Sequence, residues 1–279
     1  MKILVKPLLG VVQRLSGTLV GFAIQKLAYA VYRQSFNPGY RFDQNGELHI
    51  LSQWVKRHKQ GVIADVGANV GHWSLSCAEL AGPDAEIFAF EPGNKMFDKL
   101  KTTTASNPRI VPVQLGLSDT KGILELAFDP RAPEKSSVEA AAATVMALPA
   151  SVRQIERQNF VRGDDYFHER GVDRIGFLKV DTEGHDYKVL KGFSGMIARG
   201  SVDMIQFEYN RLNIIAKAML ADFYQLLNEE LTANGYVIGR IYPRGVRFKS
   251  YHPTDENFID GNFVAVRRTL HPLIESLRC

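Results

Sequence analysis

Short apolar segments alternate with amphipathic helical patterns along most of this chain, and this alternation constrains the fold more than any other feature. Each apolar segment is nearly continuous, as in strands that are buried on both faces. Strands and helices in alternation predict βαβ units, and therefore an α/β fold with a mostly parallel sheet and helices on both faces. The predicted strands cover residues 62–67, 86–92, 109–115, 175–181 and 202–208.

The pattern changes in the middle of the chain and again near its end. Residues 129–162 interrupt the alternation with an alanine-rich stretch, which we interpret as an insert or a flap over a site. Three later segments joined by turns predict an antiparallel end to the sheet: 235–243, 245–251 and 261–268. The predicted organisation is an N-terminal helical extension (1–60), one α/β domain (61–268) and a C-terminal tail (269–279).

Composition narrows the function classes. The chain has 279 residues, of which 45% are hydrophobic and 23% charged, as expected of a globular protein with a sizeable core. The net charge of +4 is small and no dense block of Lys and Arg occurs, so we expect no nucleic-acid partner. Two cysteines, Cys77 and Cys279, are too few for a disulfide framework or a zinc site, which fits a reducing, cytoplasmic location.

The N-terminal segment has a charge pattern of its own. From Met1 to Phe42 it contains no Asp or Glu, although it contains several Lys and Arg residues. Apolar residues recur in it at roughly helical spacing: Leu8, Leu9, Val12, Leu15, Leu19, Phe22, Leu27 and Val31. Arg14 and several glycines interrupt this run, which is unlike a membrane span. Two interpretations stay open, namely a helix packed on the core and a helix lying on the inner face of an anionic membrane.

Acidic residues stand at or near the carboxyl ends of four predicted strands: Asp65, Glu91, Asp181 and Glu208. In open α/β sheets, ligands bind beyond the carboxyl ends of the strands. We therefore expect these four carboxylates to surround one crevice.

The first of these acids leads into a glycine-punctuated turn, IADVGANVG (63–71). Gly67 permits a tight strand-to-helix turn, and Gly71 permits the helix to start close to the strand. Asn69 occupies the place where a dinucleotide site needs a glycine, and Asp65 would repel a phosphate. Glu91, after the second strand, suits the two hydroxyls of a ribose. The combination favours an adenosyl ligand with a positive tail and no phosphate, such as S-adenosylmethionine.

A second motif, FLKVDTEGHDYKVLKG (177–192), places a histidine on the same edge. A predicted strand delivers Asp181, and Glu183, Gly184 and His185 open a helix. Histidine suits general-base catalysis near neutral pH, and a helix N-terminus disfavours its cationic form. His185 is therefore a candidate base, with a capping or packing histidine as the alternative.

Five motifs occur in order and at fitting spacings: DVGANVG, FEPGNKMFDKLK, LGLSD, FLKVDTEGHDYKVLKG and IQFEYN. Together they resemble the FkbM-type family of S-adenosylmethionine-dependent methyltransferases. The resemblance implies a class I methyltransferase fold, with a Rossmann-like, seven-stranded sheet whose last strand is antiparallel. It also implies O-methylation of a hydroxyl on a sugar, a glycan or another polyhydroxylated natural product.

The resemblance also implies roles for individual residues. Asp65, Gly67, Asn69, Gly71 and Glu91 would hold the cofactor, with Ser118 near the adenine. Asp181, Glu183, His185 and Glu208 would face the site of methyl transfer, and His185 is our first hypothesis for the base. A divalent cation such as Mg²⁺, held by Asp181 and Glu208, is a less favoured variant.

Two functions from other classes stay open. An NAD-dependent oxidoreductase or nucleotide-sugar enzyme would also use a Rossmann-type sheet, although Asn69 and Asp65 count against it. A non-catalytic module is the other alternative. Within the methyltransferases, an RNA substrate is another alternative. The absence of an appended RNA-binding motif in the sequence counts against it. The oligomeric state is not indicated by the sequence.

Overall fold

The predicted buried strands form the centre of the structure. The computed structural model describes residues 9–37, 39, 41–58, 61–129, 132–139, 154–228 and 235–279. The strands in these residues are β1 (Gly61–Val66), β2 (Ala85–Phe90), β3 (Ile110–Val113), β4 (Gly116–Leu117), β5 (Gly122–Asp129), β6 (Ala132–Ser137), β7 (Gln154–Val161), β8 (Ile175–Val180), β9 (Val202–Tyr209), β10 (Tyr236–Tyr242), β11 (Gly245–Phe248) and β12 (Gly261–Arg267). The helices are α1 (Leu19–Gln34), α2 (Glu47–Val55), α3 (His72–Leu80), α4 (Asn94–Thr104), α5 (Gly163–His168), α6 (Asp186–Gly192), α7 (Ser194–Ala198), α8 (Leu212–Ala216), α9 (Leu220–Asn228) and α10 (His271–Leu277).

The larger sheet has eight strands in the order β3-β2-β1-β8-β9-β12-β10-β11. Its first five strands in that order are parallel to their neighbours, and β12 runs antiparallel to β9. The predicted α/β class and the antiparallel last strand are thus confirmed. The sheet has one strand more than the expected seven, because the chain turns back after Tyr242 and pairs β11 with β10.

Helices cover both faces of this sheet, as predicted. Alternate residues of a strand point to opposite faces. Ile63 in β1 therefore belongs to the apolar cluster that contains Trp73 of α3, whereas Ala64 belongs to the cluster that contains Leu190 of α6. The parallel strands present their carboxyl ends at one edge, where the turns after β1, β2 and β8 come together.

A second sheet, of four strands in the order β4-β7-β5-β6, is not anticipated by the apolar pattern. β5 and β7 pair antiparallel along their length. Both strands expose apolar side chains, such as Ile123 and Ile155, and neither forms a continuous apolar run. The described residues of the segment 129–162 therefore include two strands, β6 and β7. The alanine-rich residues 140–153 lie outside the described residues.

The two ends of the chain differ in packing. At the C-terminus, α10 buries Leu273, Ile274 and Leu277 in the core. Near the N-terminus, the structure describes every residue of α1, and Gly21 is the one that is buried. Among the described residues, no helix has both the length and the apolar character that crossing a membrane requires.

The turn after β1 fits closely against the end of β8. Gly67 has a φ of +83°, and a Cβ at this position would lie 1.9 Å from the carbonyl oxygen of Asp181. A Cβ on Gly71 would lie 2.7 Å from Leu100 Cδ1. This second glycine therefore lets the start of α3 lie close to α4. Both positions need glycine, for conformation and for space.

Replacing Gly67 by Ala should lower the free energy of unfolding by at least about 2 kcal/mol, because left-handed strain adds to a clash with backbone atoms. Urea denaturation followed by circular dichroism measures the effect. Gly122→Ala is the matched control, since a Cβ there meets nothing within 4 Å. We expect it to change stability by less than about 1 kcal/mol. Equal stability of the two variants would contradict the close approach at Gly67.

Candidate active site

A cavity of 510 Å³ opens at the carboxyl ends of β1, β2 and β8. Its volume lies in the range of small-molecule sites. Side chains from the second sheet close one side of it, among them Leu126 and Phe160. Of the residues singled out in the sequence, those that line the cavity are Gly67, Asn69, Glu91, Asp181, Glu183 and His185.

Two of the four carboxylates that were expected to surround the crevice do not line it. Glu91 and Asp181 line the cavity, whereas Asp65 and Glu208 are not among the residues of its wall. Asp65 is fully buried inside β1, where Ser74 Oγ donates to its Oδ2 at 2.6 Å. Its carboxylate therefore meets other side chains of the protein. Gly71 and Ser118 also lie outside the wall.

Lys179 connects the buried acid to the cavity. Its Nζ lies 3.4 Å from Asp65 Oδ1 and 3.2 Å from Asp181 Oδ2, and the side chain is almost fully buried. Burial alone would lower the pKa of Lys179, but the carboxylates of Asp181, Asp65 and Glu47 outweigh it and raise the pKa. Lys179 is thus a permanent cation that lines the cavity. The sequence signal for it was a lone charged residue in an otherwise apolar strand.

Glu91 directly follows β2. One of its carboxylate oxygens accepts a hydrogen bond from the turn after β1, and the other accepts one from the loop after β2. Oε2 accepts the backbone N–H of Asn69 at 3.1 Å, and Oε1 accepts that of Gly93 at 2.8 Å. Burial raises the pKa of Glu91 to about 7, against the opposing effect of these two hydrogen bonds. Each oxygen keeps acceptor capacity for a further donor, such as a ribose hydroxyl.

Glu208 belongs to an acidic group with Asp181, Glu183 and Asp186, two of which line the cavity. Asn210 Nδ2 donates to its Oε2 at 2.8 Å, and its backbone N–H donates to Asp186 Oδ1 at 3.3 Å. Burial raises the pKa of Glu208 well above its ordinary value, and the charges of Asp181, Glu183 and Asp186 raise it further. Burial likewise raises the pKa of Asp186 to about 7. These groups carry less negative charge than their number suggests.

His185 is the N-cap residue of α6, as predicted, and both of its ring nitrogens have partners. Nε2 lies 2.9 Å from Ser118 Oγ, and Nδ1 lies 3.3 Å from Glu139 Oε1. The hydrogen bond with His185 lowers the pKa of Glu139 to about 2, and the Lys188 cation adds to this effect against partial burial. The side chain of His185 is only 2% exposed. Because it is buried and both ring nitrogens have partners, it is less accessible to a substrate than a free base would be.

Two further contacts hold the end of β6 beside the cavity. Lys188 Nζ lies 2.6 Å from Glu139 Oε1, and Ser137 Oγ donates to the carbonyl oxygen of Glu183 at 2.9 Å. Ser136 and Val138 line the cavity between these contacts. Part of the segment 129–162 therefore forms a wall of the site.

The N-terminal segment supplies two further wall residues that the sequence did not indicate, Phe42 and Glu47. Glu47 is buried at the start of α2, and Gln206 Nε2 donates to its Oε2 at 2.6 Å. Asn262 Nδ2 donates to Glu47 Oε1 at 2.8 Å. Partners from β9 and β12 thus fix this carboxylate in the wall. No local motif marks it, because the tertiary fold brings the segment there.

The magnesium variant gains no support from the geometry. Across the parts of the chain that the structure describes, no group of three or more His, Cys, Asp or Glu side chains is arranged to hold a metal ion. Asp181 is engaged with Lys179, and Glu208 is not among the residues that line the cavity.

Sequence comparison decides the family. The family model described as "Methyltransferase FkbM domain" matches residues 65–238. The chain belongs to this family. It is accordingly an S-adenosylmethionine-dependent methyltransferase, and the oxidoreductase alternative is set aside. The resemblance seen in the motifs is confirmed.

Relatives in this family act on different molecules. Hexuronic acid methyltransferase AglP of Haloferax volcanii is 27% identical over 207 residues, which cover 71% of this chain and 78% of that protein. The 31-O-demethyl-FK506 methyltransferase FkbM of Streptomyces tacrolimicus is 30% identical over 165 residues, or 51% of this chain and 63% of that protein. The match spans less than two thirds of the latter.

Solved structures are more distant. A methyltransferase FkbM from Methylobacillus flagellatus superimposes with a TM-score of 0.46 at 14% identity, covering 74% of this chain and 44% of that chain. A likeness of this size supports no argument about the site.

Lys179→Met should lower the free energy of unfolding by about 3–5 kcal/mol, because it leaves buried carboxylates without their cation. Lys191→Met is the control, since Lys191 forms an exposed ion pair with Asp119 and should contribute less than about 1 kcal/mol. Urea denaturation of the three proteins measures the difference. Equal losses in both variants would contradict the role given to Lys179.

Titration of Glu91 should appear in binding of S-adenosylhomocysteine. If its carboxylate accepts ribose hydroxyls, affinity should rise from about pH 6 to about pH 8 as Glu91 ionises. Glu91→Gln should bind about tenfold more weakly at the higher pH and lose this dependence. Glu86→Gln is the matched control, because Glu86 is exposed near the other end of β2. Isothermal titration calorimetry measures both, with NAD as a comparison ligand.

The same group affects stability with a defined sign. The folded protein holds the Glu91 proton up to about pH 7, whereas the ordinary pKa is 4.5. The folded state therefore binds more protons than the unfolded chain between these values, and this contribution to stability is lost as pH rises through that window.

A Glu91→Gln protein whose affinity for S-adenosylhomocysteine still followed the wild-type pH dependence would contradict the assignment of Glu91 to the ribose hydroxyls.

Proposed function

We propose that this methyltransferase transfers the methyl group of S-adenosylmethionine to a hydroxyl oxygen of a sugar, with a hexuronic acid unit of a glycan as the first candidate. The observation that carries this proposal is that one cavity contains Glu91 at one strand end and Asp181, beside Lys179, at another. The first pair of carboxylate oxygens suits a ribose, and the second suits an acceptor hydroxyl. The similarity to AglP supports the sugar class.

The residues around Glu91 fit the cofactor. Glu91 would take the ribose hydroxyls, and the turn Gly67–Asn69 would bring backbone close to the ligand. Apolar side chains such as Leu117 and Phe160 offer a surface for the adenine. Bound S-adenosylmethionine supplies an electrophilic methyl group on a sulfonium. In this proposal Asp65, Gly71 and Ser118 serve the cofactor indirectly, by holding Lys179, α3 and His185 in place.

Asp181 is the best placed group to handle the acceptor hydroxyl. Its side chain is 42% exposed, and Lys179 holds it at 3.2 Å. The carboxylate would accept the hydrogen bond of the hydroxyl and take its proton as the carbon–oxygen bond forms and the sulfur–carbon bond breaks. Lys179 would stabilise negative charge that develops on the acceptor oxygen. Most of the acceleration would come from holding the hydroxyl in line with the methyl group.

His185 is the second candidate for the base. Its ring would have to release Ser118 before Nε2 could receive a proton, whereas Asp181 needs no such rearrangement. We propose that His185 instead keeps Glu139, and with it the wall formed by the end of β6, against the acceptor. Glu183 would add an oxygen for a neighbouring hydroxyl, and Glu208 would act indirectly, through its charge beside Asp181 and Glu183.

Uronic acids offer two sites of methylation, and the product distinguishes them. Purified enzyme is incubated with methyl-labelled S-adenosylmethionine and oligosaccharides that contain either hexuronic acids or only neutral hexoses. We expect labelled product from the hexuronic acids and survival of the label in mild alkali, since an ether resists alkali and a methyl ester does not. Alkali-labile label would contradict transfer to a hydroxyl. Labelling of neutral hexoses alone would contradict the hexuronic acid.

Asp181→Asn should lower kcat by about 10²-fold or more while leaving affinity for S-adenosylhomocysteine nearly unchanged. His185→Asn should lower kcat by less than about tenfold and raise KM for the acceptor, as expected of a positioning residue. Asp173→Asn is the matched control, because Asp173 is exposed before the opposite end of β8. The reverse order of the first two effects would make His185 the base.

A further inference from the structure

Helix α1 exposes large apolar side chains that no other part of the described chain covers. The exposed fractions are 89% for Leu19, 57% for Val20, 67% for Leu27 and 64% for Val31. In proteins most of the stability of a helix comes from the packing of its apolar face. Soluble monomers also rarely expose contiguous apolar patches of this kind without a function. The helix therefore needs something to cover it.

The exposed aliphatic and aromatic side chains of α1 fall on different sides of the helix. At 3.6 residues per turn, Leu19, Val20, Leu27 and Val31 fall on one side, with the partly buried Ile24 among them. Gln25 lies on the opposite side. Lys26, Arg33 and the rings of Phe22, Tyr29 and Tyr32 complete that polar and aromatic side. Aromatic and basic side chains beside an apolar stripe are typical of helices that lie in a membrane interface.

Charge selects the chemistry of the covering surface. The chain has no Asp or Glu from Met1 to Phe42, and its basic residues there are Lys2, Lys6, Arg14, Lys26, Arg33 and Arg41. Arg14 and Lys26 are exposed. A surface of negative charge above an apolar layer matches both features, and an anionic bilayer has this composition.

The far end of α1 is anchored to the edge of the sheet where the cavity opens. Arg33 forms an ion pair of 2.9 Å with Asp260, and the carbonyl oxygen of Phe36 accepts Arg240 Nε at 2.8 Å. Asp260 precedes Gly261, which pairs with Tyr209 at the carboxyl end of β9. The helix is therefore attached to this edge of the sheet by an ion pair and a hydrogen bond at its C-terminal end.

We propose that α1 docks the protein on an anionic membrane, with the side formed by Leu19, Val20, Leu27 and Val31 among the acyl chains. Lys26 and Arg14 then contact the negatively charged headgroups. Because α1 is anchored at the cavity edge, this docking brings the active site to acceptors presented at the membrane, a consequence that rests on the proposed function. The docking itself does not depend on which acceptor is methylated.

Sedimentation of the full-length protein with lipid vesicles tests the docking without any assay of methyl transfer. We expect the protein to sediment with vesicles of phosphatidylcholine mixed with phosphatidylglycerol, and far less with phosphatidylcholine alone. High salt should weaken the binding, because salt screens the contribution of the basic residues. Failure of the wild-type protein to sediment with the anionic vesicles would overturn the proposal.

Two variants with the same change in charge separate the apolar side from the polar side. Leu27→Glu and Gln25→Glu each add one negative charge at an exposed position of α1. Leu27→Glu should bind the anionic vesicles at least about tenfold more weakly than Gln25→Glu, because it places a carboxylate among the acyl chains. Both should melt like the wild type. Equal weakening would mean that the apolar side does not insert.

A second copy of the chain is the main rival for the exposed side, and light scattering identifies it. A wild-type dimer that Leu27→Glu converts into a monomer, with no vesicle binding by either protein, would assign this surface to self-association and overturn membrane docking. A monomeric wild-type protein that binds anionic vesicles would support membrane docking.

Discussion

The ion pair between Lys179 and Asp65 ties together β1 and β8, two neighbouring strands inside the larger sheet. Their Cα atoms are partners in the pairing of β1 with β8. A shift of one residue would turn Lys179 to the opposite face and leave Asp65 buried without its cation, which is a costly state. This register also brings the backbone of Gly67 so close to the carbonyl oxygen of Asp181 that no side chain fits between them. The cavity wall therefore depends on one buried contact between charges.

Strands of the larger sheet could be predicted from the sequence because burial on both faces selects a continuous apolar run. β8 is buried at every residue, and its pattern is unmistakable. β5 and β7 could not be predicted in this way. Their exposed faces carry charged residues, such as Glu125 and Arg157, between the apolar ones. The eighth strand, β11, was anticipated as a segment but not as an addition to the expected seven.

The candidate site was predictable where geometry follows from position along a strand. Glu91 directly follows β2 and lines the cavity. Asp65 lies two residues after Ile63 and so shares its buried face beneath α3, a consequence of strand alternation that the strand-end argument overlooked. The partners of His185 are Ser118 and Glu139, which are remote in sequence. Contacts of this kind follow from the tertiary fold and leave no local pattern.

Two walls of the cavity have separate origins along the chain. The family match begins at residue 65, whereas Phe42 and Glu47 precede it. The earlier stretch and the motif-bearing core must nevertheless match each other, because Gln206 of the IQFEYN motif and Asn262 both donate to Glu47. A chimaera that exchanges only the stretch around α2 would leave buried polar groups without a hydrogen bond wherever the two parents differ at Glu47 or at its amide partners.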